Sequence, residues 1–351
     1  MIKKTVAIIC GGRSSEHEIS CLSAGGILTG LDTTKYDAIL IGITKVGNWV
    51  LLPNDYPLVI TKGVLPTVDE NATAIVADIH GFSVNGQPLK IDVVFPALHG
   101  PFGEDGTIQG FLEIADMAYV GSGVLASAVA MDKSLASTIF AAADMNVASA
   151  IVVTHGDWKT KIADCTYPVF VKPARGGSSR GTHKVKRSSD LESALRDAFT
   201  FDRKVMIEAA VEGREIECAV LERNGVVTAS VVGEIIIDSK YEFYDFEAKY
   251  LDDATTVKIP ADISTTATEE IRTQAVQAFK ALGCSGLARV DFFYTVNDEI
   301  VINELNTMPG FTGTSVYPKL MAATGVEYTE LITSLIATAL SRTNSVLGLP
   351  T

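Results

Sequence analysis

With 351 residues, the chain is longer than one ordinary core requires, so two or three domains are expected. The composition, 47% hydrophobic and 20% charged, is that of a globular protein, and no apolar run reaches the ~18 residues of a membrane span. A net charge of −13 argues against nucleic-acid binding, and five scattered cysteines without a C-x-x-C pair argue against zinc and redox motifs and favour a reducing cytoplasm.

Residues 1–121 are predicted to alternate strands and helices. The basic start and short apolar run superficially resemble a signal peptide, but Gly11-Gly12-Arg13 follows at once, so a buried first strand is the better interpretation. Helical patterning follows Ser15 and Gly106. Strand-like runs cover Val6–Cys10, Ala38–Ile43 and Asp92–Ala97. This alternation predicts a doubly wound α/β domain.

Two loops of this domain are candidate binding loops. Gly11–Glu18 lies between the first strand and a helix, and a carboxylate there could hold an ammonium group. Capping of the helix by Ser15 and first-turn acids explains the same residues equally well. The second loop, His99–Gly106, also follows a strand, and its glycine density favours a functional histidine.

The middle of the chain offers one weak motif and several elements. Gly121–Ala126 follows a strand-like run and matches the dinucleotide fingerprint G-x-G-x-x-A. Ser189 and Glu192 predict a capping box that opens a helix to about Phe199. The other predicted elements are an Ala-rich helix over 132–146, strands over 204–237, an exposed loop over 238–256, and helices from about Thr268 to Gly283 and from Tyr328 to Leu340.

A basic segment stands out in this acidic chain. From Cys165 to Ser189 there is no acidic residue but there are six cations, which could hold an anion. Within it, the segment Lys172–Gly181 follows a strand, and its glycines and hydroxyls suit phosphate contacts. Thr182-His183 replaces the Lys-Ser/Thr of a P-loop, so a β-hairpin flap over phosphates is predicted. An ordinary Gly/Ser hairpin is the alternative.

Three hard oxygen ligands lie near the C-terminal end: Asp291, Glu304 and Asn306. Alternation along a strand places Glu304 on one face with Asn306, and Asp291 on one face with Arg289. A turn at Asn297-Asp298 would bring the two strands together. Oxygen ligands suit Mg²⁺, and an arginine beside Mg²⁺ suits phosphoryl transfer. The alternative is a solvated hairpin. It is disfavoured because the neighbouring residues, Phe292, Phe293 and Ile300–Ile302, are apolar, and unpaired carboxylates buried among them would be costly.

Taken together, these motifs resemble the D-alanine–D-alanine ligases of the ATP-grasp superfamily. His99–Gly110 looks like the first signature of that family, and Leu282–Gly310 looks like the second. The matching segments between and around them, in order, are Gly11–Ser20, Met131–Lys133, the flap, Met206–Glu208 and Phe243–Tyr250. The resemblance therefore spans nearly the whole chain.

The resemblance implies a mixed α/β and α+β protein, an ATP-grasp fold preceded by a doubly wound N-terminal α/β domain. The implied units are residues 1–121, a central subdomain over 122–208, and a C-terminal subdomain over 209–351. The implied activity is ATP-dependent ligation of two D-alanine molecules through an acyl phosphate, releasing ADP and phosphate, for peptidoglycan precursors. A cytoplasmic homodimer without nucleic-acid or membrane partners is expected.

At the nucleotide end, the resemblance implies two Mg²⁺, or Mn²⁺ in their place. Glu304 would bridge both ions, with Asp291 on one and Asn306 on the other. Six residues would bind the nucleotide: Lys133 and Lys172 at the phosphates, Glu208 and Val211 at the adenine, Glu215 at the ribose, and Lys249 on a closing loop.

At the substrate end, the resemblance implies that Glu16 holds the ammonium group of the first D-alanine, with His99 nearby. Arg289 and the Gly310 amide would stabilise the tetrahedral intermediate. Four more residues would complete this end: Ser178 and Tyr250, hydrogen-bonded with Glu16, and Ser315 and Val316 beside the second D-alanine.

Three alternatives remain open. A D-alanine–D-lactate ligase is disfavoured by the intact segment Glu247–Tyr250. A non-catalytic nucleotide-binding relative is disfavoured because no metal ligand is missing. A dehydrogenase based on Gly121–Ala126 is the most distant.

Overall fold

The chain is described by a computed structural model that covers residues 2–162, 165–237 and 255–342. Among these residues, no helix has both the length and the apolar character needed to cross a bilayer. The predicted loop over 238–256 lies outside them except for its last two residues, which begin a strand rather than continue a loop.

The N-terminal part is built on a five-stranded sheet in which β1 pairs in parallel with both β2 and β8. Its strands are β1 (Lys4–Gly11), β2 (Tyr36–Ile43), β3 (Trp49–Leu52), β4 (Thr73–Ala74) and β8 (Val93–Pro96), in the order β4-β3-β2-β1-β8. A small antiparallel sheet holds β5 (Val76–Asp78), β6 (Gly81–Val84) and β7 (Gln87–Pro88). The helices are α1 (His17–Gly30) and α2 (Thr107–Ile114). The central strand β1 is buried from Val6 onward, as expected of a strand inside a parallel sheet.

The central part is a four-stranded antiparallel sheet in the order β11-β10-β12-β9. Its strands are β9 (Ala150–Thr154), β10 (Val169–Pro173), β11 (His183–Val185) and β12 (Lys204–Ala209). The helices are α3 (Val124–Met131), α4 (Lys133–Ala142), α5 (Trp158–Lys161) and α6 (Ser188–Phe201).

The predicted capping box at the start of α6 is wrong. The N-cap residue is Arg187, which makes no side-chain cap, and the Ser189 hydroxyl donates to Asp190 Oδ1 at 2.9 Å. An ion pair between Arg187 and Asp190 at 3.1 Å spans this first turn instead. The helix therefore begins two residues too early for Ser189 to cap it.

The C-terminal part is a five-stranded antiparallel sheet in the order β15-β14-β13-β16-β17. Its strands are β13 (Gly213–Arg223), β14 (Val226–Ile237), β15 (Thr255–Lys258), β16 (Leu287–Thr295) and β17 (Ile300–Asn306). The helices are α7 (Thr265–Ala281), α8 (Val316–Ala323) and α9 (Tyr328–Ser341). Helix α7 begins three residues before its predicted start, because Ser264 caps the Ala267 amide at 3.1 Å. It ends at Ala281, two residues before the predicted glycine. Gly283 follows the C-cap with a φ of +68°, and its amide donates to Lys280 O at 3.0 Å.

Two groups of residues pack into the core of a sheet that is distant from them in sequence. Ala136 and Phe140 of α4 share a core with Phe279 of α7 and the C-terminal sheet. Leu331 of α9 and the nearby Phe311 pack into the core of the N-terminal sheet. These packings join helix α4 to the C-terminal sheet and helix α9 to the N-terminal sheet.

Candidate active site

A cavity of about 830 Å³ lies where the three sheets meet. Every predicted site residue within the described part of the chain lines it, whereas Lys249 and Tyr250 lie outside the described residues. The N-terminal sheet contributes the loops after β1 and β8, the central sheet contributes the flap, and the C-terminal sheet contributes one face of β13, β16 and β17. Residues that are far apart in sequence therefore meet at one place.

The acidic end of the cavity is set by the pairing of β16 with β17. Asp291 lies opposite Glu304, and Arg289 lies opposite Asn306. Arg289 donates from Nε and Nη2 to the two carboxylate oxygens of Asp291, both at 2.7 Å. The Asn306 amide also donates to Asp291 Oδ2, at 3.1 Å. The predicted gathering of two acids, an amide and a guanidinium is therefore confirmed as geometry.

Arg289 has a second acidic neighbour that the sequence analysis missed. Glu217, on β13, lies opposite Asp291, and its Oε2 lies 3.1 Å from Arg289 Nε. Burial would lower the pKa of Arg289, but the charges of Asp291 and Glu217 outweigh it and hold the pKa well above its usual value. Glu217 follows Glu215 by two residues on one strand, so alternation could have revealed that both face the site.

The donor set of β16 and β17 fits Mg²⁺ in its chemistry. Asp291 and Glu304 offer carboxylate oxygens on one face, and the amide of Asn306 offers an oxygen when its nitrogen and oxygen exchange places. Among the described residues, no three His, Cys, Asp or Glu side chains form a metal cluster. A divalent ion here would therefore depend on these three side chains together with phosphate and water oxygens.

Glu16 also lines the cavity and is only 5% exposed. It precedes α1 but makes no side-chain cap, so the capping alternative for this carboxylate is wrong. Its Oε1 accepts a hydrogen bond from the Ser178 hydroxyl of the flap. A side chain at Gly100 or at Gly177 would collide with Glu16 Oε2, so both glycines permit the close approach.

His99 is buried beside Glu16 and is held in one orientation. Its Nδ1 lies 3.0 Å from the carbonyl oxygen of Met308, which can only accept, so Nδ1 carries the hydrogen. Its Nε2 then accepts from the Ser23 hydroxyl at 2.8 Å. Burial lowers the pKa of His99 and outweighs the charge of Glu16, which would raise it. The lowered pKa favours a neutral imidazole.

A third part of the cavity lining combines strand residues with the flap. The flap is the connection of the β10–β11 hairpin, which confirms the predicted hairpin geometry. Lys172 pairs with Glu208 at 2.6 Å, and both are buried. Lys133 donates to Gly176 O at 2.8 Å and lies 3.3 Å from Glu304. Of the six cations in the basic segment, Lys172 and Arg180 line the cavity.

Glu104 also lines the cavity and was missed as a site residue. Its Oε2 accepts from the Gly100 amide at 2.6 Å. Burial, reinforced by the charge of Glu16, raises the pKa of Glu104 to about 8. The closeness of Glu16 and Glu104 could not be foreseen, because it arises where two separate strand-end loops meet.

Glu104→Gln is expected to stabilise the protein by an amount that grows from pH 5 to pH 8 and then levels off. Between the ordinary pKa and about 8, unfolding releases a proton that the folded state keeps, so native stability falls as pH rises. A neutral glutamine escapes this loss. Each pKa unit of the shift corresponds to about 1.4 kcal/mol of stability. Because the Glu104 side chain is partly exposed, we expect a total stability difference of roughly 1–3 kcal/mol.

Urea unfolding at each pH from 5 to 9 measures this difference in stability. The control is Glu70→Gln, in the exposed turn before β4. A stability difference that does not change with pH would contradict the raised pKa.

Two family models match the chain: "D-ala D-ala ligase N-terminus" over residues 5–122 and "D-ala D-ala ligase C-terminus" over residues 139–337. A D-alanine–D-alanine ligase of Arthrobacter sp. (strain FB24) is 49% identical, over 97% of this chain and 95% of the relative. That of Mycobacterium leprae (strain TN) is 47% identical, over 96% and 94%.

Solved structures are similar over the same length. The VanG D-Ala:D-Ser ligase from Enterococcus faecalis has a TM-score of 0.85 and 36% identity, covering 96% of this chain and all of that one. The D-alanine-D-alanine ligase from Coxiella burnetii has a TM-score of 0.83 and 35% identity, covering 97% and 94%.

Proposed function

Because the chain belongs to the D-alanine–D-alanine ligase family and has its ATP-grasp fold, we propose that the cavity between the three sheets is the active site of this ligase. The enzyme joins two D-alanine molecules with ATP, as needed for cell-wall precursors. The observation that carries the site assignment is the meeting of Glu16, the flap, and the Asp291–Glu304 strand pair around one cavity.

In the first step, ATP lies at the flap end, with Lys133 and Lys172 at its phosphates, Glu208 and Val211 at the adenine and Glu215 at the ribose. Bound by Asp291, Glu304 and Asn306, two Mg²⁺ would neutralise charge on the phosphates. Glu16 holds the ammonium group of the first D-alanine and directs its carboxylate towards the γ-phosphoryl group. A carboxylate oxygen attacks phosphorus, the bond to ADP breaks, and an acyl phosphate forms.

In the second step, Ser315 and Val316, at the start of α8, hold the carboxylate of the second D-alanine. Its neutral amine attacks the acyl carbonyl carbon. Arg289 and the Gly310 amide stabilise the oxyanion, and phosphate leaves as the carbon–oxygen bond breaks. Closure of the flap over Glu16 excludes water, which would otherwise hydrolyse the acyl phosphate.

Three further points belong to this proposal. The chain divides into residues 1–121, 122–208 and 209–351, with helices α3 and α4 packed across the second boundary. Lys249 and Tyr250 complete the closed site. The enzyme works as a cytoplasmic homodimer, without nucleic-acid or membrane partners.

A competition assay tests the choice of acceptor. The enzyme receives ATP, Mg²⁺ and equal amounts of D-alanine, D-lactate and D-serine at pH 7, and products are quantified by mass spectrometry. We expect phosphate release that requires D-alanine, no change in nicotinamide absorbance, and D-alanyl-D-alanine as the main product. A dominant D-alanyl-D-lactate or D-alanyl-D-serine peak would overturn the acceptor assignment. Phosphate release independent of D-alanine would overturn the ligase assignment.

A further inference from the structure

Arg289 lies between two carboxylates, the half-buried Asp291 and the buried Glu217. Asp291, on the same strand, receives two of its hydrogen bonds at 2.7 Å, and Glu217, on β13, lies 3.1 Å from Nε. The Glu217 side chain is 5% exposed, against 13% for Asp291, so it is the deeper of the two. The proposed function assigns a metal to Asp291 and no task to Glu217.

Both oxygens of Asp291 are already occupied by Arg289 and Asn306. A metal at Asp291 would bring positive charge against the Arg289 guanidinium and weaken its two hydrogen bonds to this carboxylate. A guanidinium N–H released in a buried place is costly unless another acceptor takes it. Glu217 is such an acceptor, because the β13–β16 register holds it opposite Asp291 on the face that lines the cavity.

We propose that Glu217 is a positioning residue that holds the Arg289 guanidinium at the reacting carbonyl when Asp291 turns to the metal. This inference rests on the proposed function and adds a residue to it. Without the Glu217 charge, Arg289 stays with Asp291 and stabilises the oxyanion of the second step less well. The acyl phosphate then persists until water attacks its phosphorus, a step that forms no carbonyl oxyanion. This attack breaks the bond between phosphorus and the acyl oxygen and gives D-alanine and phosphate.

The test compares Glu217→Gln with Glu234→Gln. Glu234 is also buried and also paired with an arginine, Arg214, at 2.6 Å, but it lies on β14 away from the cavity lining. We expect Glu217→Gln to lower kcat about 10–100-fold, as loss of an outer-shell partner does, and to release more than one phosphate per dipeptide. Glu234→Gln should keep the native kcat and one phosphate per dipeptide.

A double-variant cycle ties the effect to Arg289. In an Arg289→Lys background, which lacks the forked guanidinium, Glu217→Gln should lower kcat by less than about twofold further. An equal fall in both backgrounds would overturn the proposal, as would a native phosphate-to-dipeptide ratio in Glu217→Gln. A merely structural role would reduce the folded fraction without changing that ratio.

If thermal unfolding shows that Glu217→Gln is not folded, Glu217→Asp is tested instead. The shorter carboxylate keeps the charge but reaches Arg289 less well, so the phosphate-to-dipeptide ratio should still exceed one. A ratio of one there would overturn the proposal. Absence of dipeptide from the native enzyme would instead overturn the proposed function, so the two failures are distinguishable.

Discussion

Glu304→Gln is expected to lower turnover by roughly 10²–10⁴-fold while the protein stays folded. The variant keeps the shape of the side chain but loses the charge that faces Asp291 across the β16–β17 pair. A carboxylate at a Mg²⁺ site is worth several kcal/mol of transition-state stabilisation, and about 1.4 kcal/mol corresponds to tenfold in rate.

The fold should tolerate this change. Glu304 lies 3.3 Å from Lys133, and such partly exposed ion pairs contribute at most about 1 kcal/mol. The matched control is Glu299→Gln, because Glu299 lies in the exposed turn of the same hairpin. Turnover and ADP binding are measured across a Mg²⁺ titration. Native turnover of Glu304→Gln at every Mg²⁺ concentration would contradict the metal assignment.

Glu16→Gln is expected to weaken binding of the first D-alanine by roughly 2–5 kcal/mol and to leave ATP binding unchanged. Glutamine keeps an oxygen that can accept from Ser178, and it fits between Gly100 and Gly177 as glutamate does. What it loses is the charge that pairs with a desolvated ammonium group. The effect should therefore fall on the substrate alone.

Calorimetric titration of D-alanine and of a nonhydrolysable ATP analogue separates the two affinities. Glu18→Gln is the control, because Glu18 lies in the same first turn of α1 but pairs outward with Lys45. Equal weakening of both ligands would show that Glu16 supports the loop structurally instead of holding the ammonium group.

The sequence predicted well what depends on local pattern. Alternation along β16 and β17 placed Arg289, Asp291, Glu304 and Asn306 on one face, because strand geometry depends only on neighbouring residues. A hairpin at the flap followed from its glycines and from the missing P-loop lysine. The short strands β3 to β7 were not predicted, since two to four residues are too few to show a period.

What the sequence did not predict depends on contacts between distant segments. Glu217 reaches Arg289 only because β13 lies between β14 and β16, an order that periodicity cannot reveal. Burial raises the pKa of Glu104, and the charge of Glu16 raises it further because two strand-end loops bring the two side chains close together. At the start of α6, Arg187 forms an ion pair with Asp190 and the Ser189 hydroxyl donates to Asp190, so Ser189 does not form the predicted capping box. The motif alone does not show these contacts.

Oxygen transfer from substrate to phosphate tests the central claim most directly. D-alanine labelled with ¹⁸O in both carboxylate oxygens is incubated with the enzyme, ATP and Mg²⁺. The ¹⁸O content of the phosphate and of the dipeptide is then measured by mass spectrometry. Attack of a carboxylate oxygen on the γ-phosphorus, followed by amine attack on carbon, predicts one ¹⁸O in each phosphate for each D-alanyl-D-alanine formed. Unlabelled phosphate accompanying the dipeptide, or AMP and pyrophosphate in place of ADP and phosphate, would contradict the acyl-phosphate ligase described here.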